Sequence, residues 1–202
     1  MKLLFATRNR GKIAELQQMV GERFEIVSLD AFPGVGEVEE TGDTFEANAI
    51  LKARAYARAT GLVALADDSG LSVDALGGRP GVHSARYVEG SDEDRVCAVL
   101  RELEGVPDGQ RGGEFVCVLA LATPEGEVVT TRGVMRGVLT RAPRGTGGFG
   151  YDPIFEIEGT GKTTAEMSRE EKARISHRGQ AFRAMVPRLK ALAQGVWPPK
   201  MG

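Results

Sequence analysis

The chain has 202 residues, enough for one domain or for one domain with two lobes. Lys and Arg number 26 against 28 Asp and Glu, and the net charge of −2 excludes the positive field that a nucleic-acid sheath or an anionic membrane surface requires. Apolar residues make up 42%, so a sizeable core is available, while the 27 glycines, roughly twice the usual share, point to backbone that approaches a ligand closely.

The longest apolar run, Phe115 to Ala122, is far below the ~20 residues of a membrane span. The amino-terminal Met1-Lys2-Leu3-Leu4-Phe5-Ala6 meets charge again at Arg8, too soon for a signal peptide. Cys97 and Cys117 lie in apolar sequence without CxxC spacing and read as buried thiols of a reducing compartment, so a cytoplasmic location is expected. With only His83 and His177 and no Cys cluster, a structural zinc site is excluded. Any metal is a hard cation held by oxygen.

In chain order, Lys2 to Thr7 predicts a short buried strand, Arg8 to Gly11 a turn, and Lys12 to Val20 a helix with Ile13, Leu16 and Val20 on one face. Glu25 to Leu29 is a second strand, followed by a Gly-rich acidic loop. Asp43-Thr44-Phe45-Glu46 has the D-x-x-E form of a helix start, and Phe45, Ala49, Ala53 and Ala57 carry that helix to about Thr60. Leu62 to Ala66 reads as a strand buried on both faces that ends abruptly at Asp67-Asp68-Ser69-Gly70. Leu76 to Gly90 is loop-like and Asp92 to Glu104 helical. Glu114 to Thr123 and Val128 to Arg136 flank Pro124-Glu125-Gly126-Glu127 as an antiparallel hairpin that Val138 to Thr140 extends. A second Gly-rich loop, Arg144 to Pro153, precedes a short strand at Ile154 to Ile157. Ser168-Arg169-Glu170-Glu171 is a capping box, and Gln180 to Ala193 a final helix. Helices alternate with strands and a hairpin follows, so the fold class is α/β with a mixed sheet.

Two strings are decoys. Gly145-Thr146-Gly147-Gly148-Phe149-Gly150 matches GxGxxG, but Tyr151-Asp152-Pro153 follows where a dinucleotide site needs a helix amino terminus. Gly161-Lys162-Thr163 resembles the end of a P-loop, yet Glu156 stands where its first glycine belongs. No G-x-S-x-G elbow supports a serine hydrolase.

Four groups carry chemistry. Thr7-Arg8-Asn9-Arg10-Gly11-Lys12, at a strand-to-helix junction, offers free backbone N–H groups and a cation to an anion, or is an ordinary turn with solvated cations. Asp67-Asp68-Ser69 places two carboxylates at a strand's carboxyl end, where a divalent cation or a proton between them relieves repulsion, or is a solvated turn. Glu39 and Glu40 precede a helix whose Asn48 and Lys52 share a face. Phe149, Gly150, Tyr151 and Asp152, with Lys172, His177 and Arg178, supply an aromatic for stacking and polar groups for a base edge, although core packing explains a single aromatic as well.

Taken in order, these strings resemble the RdgB-like inosine triphosphate pyrophosphatase family over nearly the whole chain. The segments that carry the resemblance include Leu4 to Lys12, Glu39 to Gly42, Phe45 to Ala49, Ala66 to Leu71, Gly77 to Gly81, Ser84 to Tyr87, Gly147 to Pro153 and Ser176 to Gly179. Arg8 departs from the glycine that many members have. The resemblance implies a single two-lobed domain over residues 1–202, with a long mixed sheet, flanking helices and a cleft. It implies a homodimer that uses Mg2+ to hydrolyse dITP, ITP and XTP to the nucleoside monophosphate and pyrophosphate. By the same resemblance Thr7 to Lys12 and Lys52 hold the triphosphate, Asp68 is proton acceptor and metal ligand, and Glu40 is the second metal ligand, with Glu39 an open alternative. Ser69 touches the substrate, and Phe149 to Asp152, Lys172, His177 and Arg178 enclose the base. A nucleotide-binding regulator would need the cations but not the carboxylates. A pyrophosphatase for modified pyrimidines lacks, by resemblance, the Ser176-His177-Arg178 segment.

Overall fold

The structure is a computed structural model and describes residues 1–197. Six strands form one sheet: β1 (Lys2–Phe5), β2 (Glu25–Ser28), β3 (Ala64–Val73), β4 (Gly112–Ala122), β5 (Val128–Leu139) and β6 (Phe155–Ile157). Their order is β2-β1-β3-β4-β5-β6. β1 pairs in parallel with β2 and β3, whereas β5 and β6 are antiparallel, so the sheet is mixed as expected. The helices are α1 (Arg10–Val20), α2 (Phe45–Thr60), α3 (Asp92–Glu102), α4 (Arg169–Ile175) and α5 (His177–Ala193). No helix of the described residues is long and apolar enough to cross a membrane.

The chain divides into two compact units, each assembled from separated segments. The first holds Met1–Asp68, Val118–Arg132 and the described residues from Gln180 to Trp197. Its β1 is wholly apolar after Lys2 because the strand is buried on both sides, and Phe5 meets Phe182 of α5 edge-on at 5.7 Å. In α2 the four-residue spacing of Ala49, Ala53 and Ala57 buries small side chains in one row, letting the helix lie close to its neighbours. The helix starts one residue later than the D-x-x-E pattern implies. Thr44, not Asp43, is its cap, accepting from the Ala47 N–H.

The second unit holds Ser69–Cys117 and Gly133–Gly179. Leu71, Val96, Val99, Leu103, Phe115, Ile154 and Phe155 are among its core. Arg111 is buried beside that core. Its guanidinium donates to the carbonyls of Leu139 (2.9 Å), Leu103 (2.9 Å), Val106 (3.3 Å) and Thr140 (3.0 Å), tying the end of α3 to the end of β5. Burial lowers its pKa from the ordinary value. α4 begins with the capping box expected at Ser168, which exchanges bonds with Glu171.

Three expectations are corrected. β3 does not end at Asp67 but runs to Val73, because strand pairing overrides the local turn preference of Asp, Ser and Gly. Gly70 is required there, since a Cβ would lie 2.4 Å from Ser84 Oγ. Cys97 is exposed rather than buried, lying off the apolar face that Val96 and Val99 give α3, while Cys117 is buried as expected. The final helix begins at His177, three residues early, and continues through Pro187.

Candidate functional site

In the first unit, β3 brings up Asp67 and Asp68. Successive strand residues face opposite ways, and each of the two carboxylates has a lysine beside it. Lys12 of α1 donates to Asp67 Oδ2 at 2.6 Å. Lys52 of α2 lies 3.8 Å from Asp68 Oδ1 and donates to Glu40 Oε2 at 3.1 Å. Each carboxylate of the Asp67-Asp68 pair thus has a lysine ammonium within 4 Å.

Asp68 sits with Glu40, Asn48 and Lys52. Burial pushes its carboxyl up to about 7, with Lys52 opposing, the nearby Glu40 carboxylate adding to the rise and a bond from Asn48 lowering it. Asn48 is fully buried and holds the acidic loop to α2. Its Oδ1 accepts from Gly42 N at 2.7 Å and its Nδ2 donates to Gly42 O at 3.2 Å. A Cβ on Gly42 would stand 2.7 Å from Asn48 Oδ1, so only glycine permits this clamp. It delivers Glu40 to Lys52 while Glu39 stays exposed. Sequence reading put Asn48 and Lys52 on a shared face but did not see that the amide faces inward.

The Thr7–Lys12 turn differs from the expected cradle of free N–H groups. Asn9 caps α1 through its own side chain, Oδ1 accepting from Gly11 N (2.9 Å) and Lys12 N (3.2 Å). Thr7 Oγ1 accepts from Asn9 N. Arg8 pairs with Asp30 at 3.5 Å and Glu37 at 3.9 Å, and Arg10 opens the helix exposed to solvent. The structure thus leaves cationic side chains here but satisfies these amides internally.

In the second unit, Ser69 follows Asp68 on β3, half-buried. The glycine loop presents Phe149, 65% exposed, with Lys172 Nζ 5.0 Å and Arg178 Cζ 6.0 Å from its ring centroid. Arg178 Nε is buried without a hydrogen-bond partner among the described residues. His177 stacks on Phe115 at 5.2 Å. Gly150 N donates to Asp92 at 2.7 Å. Tyr151 and Asp152 are buried beneath this surface. The Tyr151 hydroxyl donates to Ser84 O at 2.7 Å, and Ser84 Oγ in turn accepts from Leu71 N at 2.9 Å. Asp152 Oδ2 accepts from Phe149 N at 3.0 Å and from Lys172. Ser84 entered the sequence reading only as part of a resembling string; a small polar residue facing an obligatory glycine across two turns leaves no local signal.

Among the described residues, no three His, Cys, Asp or Glu side chains assemble as a metal site. Glu40 and Asp68, within hydrogen-bonding reach of each other, are an all-oxygen donor pair. That suits a hard cation such as Mg2+, which takes the rest of its shell from water and phosphate.

Residues 3–188 match the Ham1 family. The chain is 54% identical over 194 residues to a dITP/XTP pyrophosphatase of Symbiobacterium thermophilum, covering 96% of this chain and 97% of that protein. To the dITP/XTP pyrophosphatase of Streptomyces avermitilis it is 49% identical, covering 95% and 98%. Among solved structures, a HAM1 protein from Coxiella burnetii is similar with a TM-score of 0.89 and 42% identity over 94% of this chain and 98% of that one. A nucleoside-triphosphatase/dITP/XTP pyrophosphatase from Mycobacterium abscessus gives 0.82 and 48% over 93% and 100%.

Proposed function

Because the chain belongs to the Ham1 family, we propose that it hydrolyses non-standard purine nucleoside triphosphates, such as dITP, XTP and ITP, to the monophosphate and pyrophosphate. The observation that supports this most is the Glu40–Lys52–Asp68 group, which gathers two carboxylates and a cation by means of a buried asparagine. A protein that only held a triphosphate would want the lysine and would be repelled by the acids.

Asp68 accepts a proton from the water that attacks the α-phosphorus; the bond from that phosphorus to the bridging oxygen breaks, and pyrophosphate leaves. Lys52 and Lys12, each now facing a carboxylate, offset charge on the phosphates, assisted by Arg8 and Arg10. Glu40 and Asp68 would hold Mg2+, which when bound supplies positive charge beside the phosphate oxygens. For the base, Phe149 offers its exposed face and Arg178, Lys172 and His177 offer donors to the 6-keto oxygen of hypoxanthine or xanthine. An adenine amino group would leave these donors unpaired. Gly150, Tyr151 and Asp152 shape the loop that presents them. Ser69 contacts the substrate beside Asp68. The reading includes a homodimer, which rests on the family resemblance, in the cytoplasm, which rests on the cysteine pattern and the early charge at Arg8.

The test is a panel of ITP, dITP, XTP, ATP and GTP with Mg2+, assayed for pyrophosphate and orthophosphate separately. Pyrophosphate from ITP and XTP in excess over ATP is expected. Orthophosphate alone would exclude attack at the α-phosphorus.

A further inference from the structure

We propose that Thr164 is a positioning residue for base recognition, acting through Asp152 on Lys172 and Phe149. The proposal deepens the reading given above and rests on it.

Asp152 is only 3% exposed and stands between Tyr151 and Ile154, both part of the apolar core. A carboxylate in such a place needs each oxygen answered by a donor. Oδ2 takes the Phe149 N–H and the Lys172 ammonium. Oδ1 takes the Thr164 hydroxyl at 2.8 Å. That hydroxyl also lies 3.1 Å from the Asp152 carbonyl oxygen, but it has one proton, and the charged carboxylate is both the nearer and the stronger acceptor. Thr164 therefore fixes the rotation of the carboxylate. With the Oδ1 bond made, Oδ2 is directed at Phe149 N and Lys172; without it, the group can turn about its own axis and both contacts loosen.

Thr164 is itself held firmly. It is 1% exposed and lies in the single turn Thr164–Glu166. Thr163 N donates to Glu166 Oε1 at 2.8 Å, and Thr163 Oγ1 donates to Arg144 O at 2.8 Å. The glycine loop folds directly on this turn. Gly147 N donates to Ala165 O at 2.9 Å, and a Cβ on Gly145 would lie 2.6 Å from the Ala165 carbonyl carbon. Thr163, the last residue of the P-loop-like string Gly161-Lys162-Thr163, and Thr164 after it are thus the buried footing of the loop that carries Phe149. The bonds of the Thr164 hydroxyl go to Asp152. Its influence passes through one carboxylate to the cation above the ring, 5.0 Å from the centroid.

The test uses Thr164→Val, which keeps shape and removes the donor, and Thr164→Ser, which keeps the donor. Steady-state kinetics with ITP and ATP are measured on the wild type and both variants, together with thermal melting. Thr164→Val is expected to raise KM for ITP about tenfold while leaving kcat within about twofold, and to narrow the ITP-to-ATP ratio of kcat/KM by the same factor. Thr164→Ser is expected to restore KM and the ratio. A folded Thr164→Val enzyme with unchanged KM and ratio overturns the proposal. So does an equal loss of kcat on both substrates, which marks a merely structural role. If Thr164→Val does not fold, Thr164→Cys, a weaker donor, takes its place under the same criteria. A wild type that releases no pyrophosphate from ITP overturns the functional reading itself, an outcome distinct from an active wild type whose variant is indifferent.

Discussion

At Asp68 the environment decides the chemistry. A carboxyl on a solvated turn would be an ordinary acid, but here it is buried in a strand, faced by Lys52 and crowded by Glu40. Replacing it by Asn removes the proton acceptor and weakens cation binding while keeping the shape. Asp68→Asn is expected to lower kcat on ITP by about 10²-fold or more, the usual cost of losing a general base, with no loss of melting temperature because a buried charge has been removed. Steady-state rates and a melt on the same preparation check both halves. Retention of a tenth of the wild-type kcat would take Asp68 out of the proton-accepting role. The neighbouring Asp67 illustrates why sequence adjacency misleads. Its side chain belongs to the other face of the strand and to Lys12, and only the alternation of β3 reveals this.

Elements with a strong internal period were legible in the sequence. The alanine row of α2, the capping box of α4 and the apolar runs of β1 and β4 carry their structure in local residues, and their bounds agree within a few positions. What was not legible depends on partners distant in the chain. Asp67-Asp68-Ser69-Gly70 has turn composition, yet continues as strand because neighbours pair with it. Asn9 reads as a turn residue leaving amides open to an anion, and instead closes two of them itself. Of the candidate site, Glu40 and Asp68 each lie beside Lys52, and Phe149 lies beside Lys172 and Arg178. Asn48 and Thr164, which hold these groups, are visible only as buried polar atoms in three dimensions. Arg111 is another such case. A lysine there has its donors at one point and cannot span four carbonyls. Arg111→Lys is expected to destabilise the fold by about 2 kcal/mol or more, since at least one buried carbonyl loses its donor. Urea unfolding measures it, and an unchanged midpoint would show that water replaces the guanidinium.

At the scale of the whole molecule, several carboxylates share one pH response. Asp74 is held below its ordinary value by Arg136, Asp94 by the Ser91 amide, Glu102 by the Tyr87 hydroxyl, Glu166 by the Thr163 amide and Glu171 by the Ser168 amide. A carboxyl whose folded pKa lies below its unfolded value of 3.8 (Asp) or 4.5 (Glu) stabilises the fold above that value and ceases to as pH falls through the folded one. Asp68 does not oppose this trend, because a carboxyl raised to about 7 is already protonated in the folded state there. Melting temperature is therefore expected to decline below about pH 4, modestly because these carboxylates are solvent-exposed. Melts from pH 7 down to 2.5 test this, and a midpoint constant to pH 3 would contradict it.

The first unit also takes its closing piece from far along the chain. Phe182, Met185 and Leu189 of α5 are fully buried in it, and Thr131 donates to Ala181 O at 2.9 Å. On the ribosome, β1 and α2 emerge early but must wait, with Phe5 lacking its aromatic neighbour, until translation has passed residue 189. Until then the nascent chain carries the Glu40–Lys52–Asp68 residues on a core that lacks Phe182, Met185 and Leu189.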